Sequence, residues 1–482
     1  MCIGTFPVMT TFKRSAIYCW FFGVLFSFSI GSVKAQVLFN NLHSLAFLDG
    51  TGPYANLIVS GHTLYGTTHN YGGGTGGGDG SVFRMNVDGS GFTNLHTFSG
   101  FAPEGGNLSG GLVLSGGTLY GAAVFGGDLD HGCLFAIGTN GLGLTNFYSF
   151  STNSNSTNYD GVYPSAGLLL AGNTFYGTAN GGGANNSGTL FAVNTNGTGF
   201  TNLHNFIFAT GNYPSRDLIL AGGTLYGTTA SGGSTGYGTV FKINTNGSGY
   251  SNFYDFTATS GPDRTNREGA FPACNLIVSG TNLFGTASEG GDLGGGTIFV
   301  TDTNGSGFSV LHAFTNTNGV AGTNADGARP KSGLTLVGNV LYGTASLGGS
   351  SGSGTVFKIN TDGSGFTTLY NFSVTNGVGG TNIDGAHPIG GLLYTGGTLY
   401  GTTSEGGASG YGTVFSISFP PTLALTLSGT NAILTWSSNV IGYNLQATTN
   451  LTAPNAWDPI SGQYSVTNPI STKQKFYRLM HP

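Results

Sequence analysis

Leu341-Tyr-Gly-Thr-Ala-Ser-Leu-Gly-Gly-Ser-Ser-Gly-Ser-Gly-Thr-Val-Phe-Lys-Ile-Asn-Thr-Asp-Gly-Ser-Gly-Phe-Thr-Thr-Leu-Tyr-Asn-Phe372 is the stretch that decides the fold. Its Leu-Tyr-Gly-Thr start recurs, with small changes, around Tyr65, Tyr120, Tyr176, Tyr226, Phe284, Tyr342 and Tyr400, in units of 50 to 58 residues. A period that long, filled with short β-rich runs and Gly turns, is the signature of a β-propeller with one repeat per blade. Its closing part, Phe-Thr-x-Leu-(His/Tyr)-x-Phe, also occurs seven times, but the first copy stands alone at Phe39–Leu45 and the last repeat ends near Phe415 without one. The displaced copy predicts that the N-terminal strand completes the last blade and closes a seven-membered ring.

The third unit shows how one blade is spelled. Four strands are predicted at Gly167–Leu170, Thr174–Thr178, Thr189–Val193 and Phe200–Phe206. Gly-Asn and Asn-Thr-Asn-Gly-Thr-Gly join them, residues that accept positive φ at low cost in hairpins. By strand alternation Phe200, His204 and Phe206 would share one face and Leu203 the other, so that each sheet is covered on both sides.

Leu-Tyr-Gly-Thr, the Gly-Gly after it, Gly-Thr-Val-Phe-Lys-Ile-Asn and Gly-Ser-Gly-Phe-Thr-x-Leu resemble the bacterial GloVer tandem repeat over roughly residues 36–417. That resemblance implies exported proteins with propeller repeats and carries no activity with it. The strand order and the Gly-Gly are similar to Kelch blades, although the Trp common in Kelch fourth strands is replaced by Leu or Phe.

Lys13-Arg14, an apolar run from Ile17 to Ile30 and Val33-Lys34-Ala35 read as a secretory signal peptide over 1–35, cleaved before Gln36. Residues 36–419 are assigned to the seven-bladed propeller. After Pro420-Pro421 the composition changes, and 420–482 read as a small β-sandwich-like domain, loosely fibronectin type III-like, with Trp436, Tyr443 and Trp457 as its core. The fold class is therefore all-β.

Only 7% of the 482 residues are charged, and the net charge is −5. Losing Lys13, Arg14 and Lys34 with the leader leaves 11 basic against 19 acidic residues, which argues against nucleic acid and anionic membranes as partners. No integral span is expected once the leader is gone. Cys133 and Cys274 fall at non-equivalent repeat positions, too far apart in a ring for a disulfide.

Candidate site residues lie on the loop leading into each blade. These lead-in loops carry Thr-Asn-x-(Asp/Glu)-Gly-x-x-Pro or parts of it, giving Asp160, Glu268, Asp326 and Asp384, with Asp49 as a fifth partial match. In a propeller they emerge on the same face as the loops between second and third strands. A carboxylate ring there is a candidate for cations including calcium, for sugars or for basic partners. Turn preferences favour a structural reading, with Asp-Gly as an Asx turn and Pro fixing the start of the first strand.

His43, His96, His204 and His312 share one repeat position with Tyr148, Tyr254 and Tyr370. Sitting on outer strands of different blades they cannot converge on a metal, so an interblade hydrogen bond is expected. No sialidase box, nucleophile elbow or His-Glu-x-x-His motif occurs, and no cofactor is implied.

The functional expectation is a secreted, non-enzymatic protein that binds glycan or protein at the long-loop face. The alternatives are a polysaccharide hydrolase or lyase using two or more of Asp160, Glu268, Asp326 and Asp384 as acid and base, and a structural matrix or surface-layer component.

Overall fold

The computed structural model describes residues 37–70, 79–151, 158–214, 216–261, 263–272, 274–317, 322–376 and 380–419, and six strands between Ala424 and Met480. The leader at 1–35 and the expected C-terminal core residues Trp436, Tyr443 and Trp457 lie outside the described residues. The chain divides into two compact units, the larger running from Phe39 to Ile417 apart from Gly396–Thr398, the smaller holding Ser418–Pro482.

The larger unit is a seven-bladed β-propeller. Blade six illustrates the plan, with strands Thr335–Val337, Val340–Ala345, Thr355–Asn360 and Thr367–Asn371 hydrogen-bonded antiparallel in that order. Blades one to five repeat it. In the seventh sheet the order is Leu393–Thr395, Thr398–Thr403, Thr413–Ser418 and then Leu38–Ser44 as the outer strand. Leu45 N–H continues this pairing to Gly412 O at 3.0 Å, Leu45 is fully buried, and the Phe39 ring stacks on Tyr370 of blade six at 4.0 Å.

The repeated Gly of Leu-Tyr-Gly-Thr has a packing cause. Gly343 pairs with Phe357, whose ring folds over it, and a Cβ on Gly343 would stand 2.6 Å from Phe357 Cζ. The buried Phe of the third strand thus fills the space that the Gly leaves empty, as Phe191 does over Gly177 in blade three. The Thr that follows ties blade to blade: Thr286 Oγ1 donates to Ser332 O at 2.9 Å, and Thr228 Oγ1 to Cys274 O at 3.2 Å.

Two local expectations are corrected. The first strand of blade three is Leu169–Ala171, because Tyr163 N–H bonds to His131 O of blade two and Gly167 N–H to Asp217 of blade four instead of along the sheet. In the fourth strand, Thr201–Asn205, a register shift between Leu190 and Phe191 lets Leu190 face His204 and Phe191 face Asn202, leaving Leu203 as a bulge. That extra residue breaks the alternation. Phe200 consequently packs on Tyr148 of blade two, whereas His204, Phe206 and Leu203 all pack toward blade four.

Cys133 and Cys274 are buried free thiols, and burial pushes the Cys133 thiol up to about 12. The smaller unit contains two three-stranded antiparallel sheets. One is formed by Ala424–Ser428, Asn431–Thr435 and Ser465–Pro469, the other by Asp458–Pro459, Asn444–Thr448 and Phe476–Met480. Leu434, Leu445 and Ala447 are buried in it.

Candidate functional site

The lead-in loops and the loops between second and third strands lie on one face, joined by single β-bridges such as Asn212 to Ser231, Ala270 to Glu289, Ala328 to Leu347 and Ala386 to Glu405. Each lead-in loop crosses that face from the rim to the axis, and its side chains do different work along the way.

At the rim sit the acidic residues singled out from the sequence, each engaged at its own blade junction. Asp160 accepts from Tyr148 OH and from the Ser151 N–H and hydroxyl, all at 2.8 Å. Asp384 accepts from Tyr370 OH at 2.7 Å, from Ser373 N–H at 2.9 Å and from the Ser373 hydroxyl. Asp326 takes His312 at 3.1 Å together with the Thr315 N–H and hydroxyl. Glu268 is the partner of Tyr254 and of Thr257 N–H, and Asp49 of His43 at 3.0 Å. Glu104, a sixth member that the sequence pattern did not single out, meets His96 at 3.0 Å.

The backbone of the same residue reaches forward. Thr189 Oγ1 of blade three donates to Asp160 O, and Thr297, Thr355 and Thr413 do the same to Glu268, Asp326 and Asp384. Each acid therefore clasps the outer strand behind it to the third strand ahead. The loop-forming side chain is the Asn two residues earlier, since Asn324 Oδ1 accepts from Gly327 and Gly349 N–H. The Asx role expected for the Asp falls to this Asn.

In most clasps the His or Tyr also stacks on the next blade's outer-strand aromatic, His43 on Phe92, Tyr148 on Phe200, Tyr254 on Phe308 and His312 on Phe366, at 3.7 to 4.3 Å between centroids, while blade two offers Leu144 to His96 instead. Blade four breaks the pattern. Its lead-in loop carries no acid at the rim position, His204 stacks on Tyr250 at 3.6 Å with Nε2 unpaired, and burial lowers its pKa to about 4. For Asp326, burial pushes the carboxyl up, and the bonds from His312 and Thr315 more than reverse this, leaving it below its ordinary value. Among the described residues no group of three or more His, Cys, Asp or Glu is placed to hold a metal ion.

Further in, one repeat position holds an unusual backbone. Asn107, Tyr163, Tyr213, Phe271, Arg329 and His387 all have φ between 53° and 62°, and Gly52 occupies the same place at 61°. Bulky residues are rare in that left-handed region, which costs them on the order of 1–2 kcal/mol each. The conformation is fixed from both sides: Tyr213 N–H donates to Ser187 O of the preceding blade at 3.2 Å, and Tyr213 O accepts from Ala230 N–H at 3.2 Å. Phe271, Arg329 and His387 repeat both bonds. The backbone is thus constant while the side chain changes from blade to blade.

Around the axis, the residues just ahead of the first strands line a small cavity of about 20 Å³, among them Tyr54, Ser109, Ser165, Arg216, Asp217, Asn275 and Lys331. Side chains here belt neighbouring blades together. Asp217 accepts from Gly167 N–H and from Asn275 Nδ2, Asn275 Oδ1 accepts from Asp217 N–H at 3.1 Å, and Asn56 Oδ1 from Gly391 N–H at 2.6 Å. Burial pushes the Asp217 carboxyl up, against the pull of Gly167 N–H and Arg216. Burial also disfavours the charge on Lys331, and Arg329 and Arg216 add to this, with Glu289 opposing. Sequence reasoning missed this cluster. Its signal was a charged pair, Arg216-Asp217, where other copies carry Ala166-Gly167, Ser332-Gly333 or Gly390-Gly391.

The large apolar side chains left exposed also favour this face. Phe47, Phe101, Tyr159, Phe208, Tyr213 and Ile383 are on lead-in loops, and Phe125, Leu129 and Leu293 on loops after second strands. Only Leu38 and Leu142 stand elsewhere among the described residues.

The family model of the Gloeobacter/Verrucomicrobia repeat matches residues 149–325 and 320–434, more than half of the sequence. The chain belongs to that family. No curated protein matches it. Among solved structures it is similar to the oligogalacturonate lyase of Vibrio parahaemolyticus, at 10% identity and TM-score 0.45 over 84% of this chain and 98% of that one. A putative 6-phosphogluconolactonase of Bacteroides fragilis gives 16% identity and TM-score 0.42 over 86% and 98%. The GH74 enzyme of Niastella koreensis gives 15% and 0.42 over 88% and 74%. Among the described residues no helix is long and apolar enough to cross a membrane.

Proposed function

We propose that this protein is an exported, non-enzymatic recognition module that binds a glycan on the long-loop face of its propeller. The observation that carries this reading is the ring of left-handed positions. Strain of order 1–3 kcal/mol per residue persists only where surrounding structure enforces it, and such outliers gather at ligand-binding sites. Here it is maintained in six blades with Asn, Tyr, Tyr, Phe, Arg and His, a varied set of aromatic and polar contacts around one mouth. Aromatic faces and planar polar groups are the groups that sugar rings take up.

Catalysis by the rim carboxylates has less support. An acid and base must exchange protons with substrate, whereas Asp160, Asp326 and Asp384 each accept three bonds from their own junction. The test is a binding screen of the purified protein against extracellular polysaccharides, with and without calcium, following the mass of each glycan. Intact bound glycan, lost on Tyr213→Gly plus Phe271→Gly, is the expected result. Shortened glycan would replace recognition by a hydrolase or lyase, and no binding combined with self-association at rising concentration would favour a matrix component.

A further inference from the structure

We infer that the axial cavity is a carboxylate pocket and that the glycan recognised by this face is an acidic one; this rests on the recognition reading above and gives it a ligand class. Sevenfold repetition is abandoned most completely at the axis. Two cations, Arg216 and Lys331, are contributed there by blades four and six, with Arg329 two residues before Lys331, in a chain with only 14 basic residues altogether. They lie close enough for Arg216 and Arg329 to oppose the charge of Lys331. Among the described residues none of the three has a carboxylate oxygen within 4.0 Å, while Arg264 nearby is paired with Glu289 at 2.9 Å.

The cavity also presents unmet hydrogen-bonding groups. Arg216 Nε and Ser165 Oγ are buried without partners, and both residues line it. A buried unpaired donor costs roughly 1–3 kcal/mol, so a group that satisfies several of them at once is strongly favoured. Asp217 does not fill this role, because both its oxygens are engaged by Gly167 N–H and Asn275 Nδ2.

Size and charge select the ligand group. About 20 Å³ has room for one small head group and not for a sugar ring. Planar carboxylate suits the guanidinium of Arg216 with the ammonium of Lys331 beside it. The body of the ligand then lies outward across Tyr54, Tyr163 and Tyr213, whose rings offer faces to a pyranose. A sugar acid combines both contacts in one residue.

Isothermal titration of the purified protein with a uronate hexasaccharide, its carboxyl-reduced neutral counterpart and a polyglutamate peptide tests the inference. The uronate should bind at least tenfold tighter than the reduced form, with affinity falling as salt rises. Arg216→Met and Lys331→Met should each weaken it tenfold or more while the Tm stays level or rises, since each removes a partly desolvated charge with no carboxylate within 4.0 Å. Lys331→Met decides the matter if Arg216→Met fails to fold. Equal binding of uronate and reduced sugar, lost on Tyr213→Gly, would overturn the carboxylate pocket and leave glycan recognition standing. Unchanged uronate affinity in both Met variants would overturn the pocket, and binding of polyglutamate alone would overturn the sugar class. Failure of every sugar in the wider screen would remove both readings together.

Discussion

Asp160 and Ser165 stand five residues apart on one lead-in loop, and Asp326 and Lys331 stand five apart on another. The first members of the two pairs do the same thing: each clasps an outer-strand Tyr or His behind it and gives its carbonyl to a Thr ahead. The second members do not. Ser165 and Lys331 face one cavity with unlike chemistry, and between them blade four sends in Arg216. A blade junction poses the same steric problem seven times and draws the same carboxylate clasp at six of them, whereas the axis is a single place to which each blade contributes once. Repetition therefore marks what holds the ring together, and its loss at the axis is what the proposed ligand pocket would explain.

The sharpest way to break the comparison is to open the ring. Deleting Leu38–Leu45 removes the fourth strand of blade seven, the Phe39 stack on blade six and the buried Leu45, and it uncovers a sheet edge. The loss should approach the whole stability of a domain, about 5–15 kcal/mol. Circular dichroism and urea unfolding of the shortened chain check this, and a cooperative transition at the original midpoint would show that closure contributes little.

A single clasp is the next step down. Asp384→Ala leaves the Tyr370 hydroxyl, the Ser373 N–H and the Ser373 hydroxyl without their acceptor, a cost of about 3 kcal/mol. Denaturant titration reads it, and if the proposed ligand sits at the axis, glycan affinity under native conditions should be unaltered. Reduced affinity at full stability would instead return the rim carboxylates to the binding face.

The four strands of each blade, the ring of seven and the His-for-Tyr interchange were legible because each follows from a pattern repeated in sequence. Two features were less so. The bulge at Leu203 reverses Phe200 relative to His204, and nothing in Phe-Thr-Asn-Leu-His distinguishes a bulged strand from a regular one. The axial pocket assembles from residues separated by whole blades, Asn56, Asp217 and Lys331 among them, so no local motif encodes it. Only an aligned column of repeats exposes Arg216-Asp217 as out of place.

Acid should separate the one clasp that lacks a carboxylate from those that have one. The folded pKa of His204, lowered to about 4 by burial, lies below its unfolded value of about 6.5, so between these values the unfolded chain holds a proton that the folded chain does not. Stability is lost as pH falls through that window. Asp326 is also depressed, and its contribution, present above the unfolded carboxylate value near 4, is lost only at lower pH. Urea midpoints at pH 7 and pH 5 should therefore fall in the native protein and fall less in His204→Phe. An equal fall in both would mean that the blade-four junction is hydrated and titrates normally.

The smallest effect on stability should come from the ring of left-handed residues, and its sign is the informative part. Tyr213 sits at φ 56°, a value that Gly adopts freely, and its backbone bonds to Ser187 and Ala230 need no side chain. Tyr213→Gly should relieve about 1 kcal/mol of strain, set against a comparable entropic gain of the unfolded chain, and leave the Tm within a few degrees of its original value. A ring kept for the fold alone would give that result and nothing else. A ring kept for a ligand adds loss of glycan affinity at unchanged stability, because a large aromatic side chain tolerated in a strained conformation and 47% exposed has no fold-derived reason to remain. If the variant loses several kcal/mol instead, the Tyr213 ring is structural, and the contrast between rim and axis must be drawn one residue closer to the cavity.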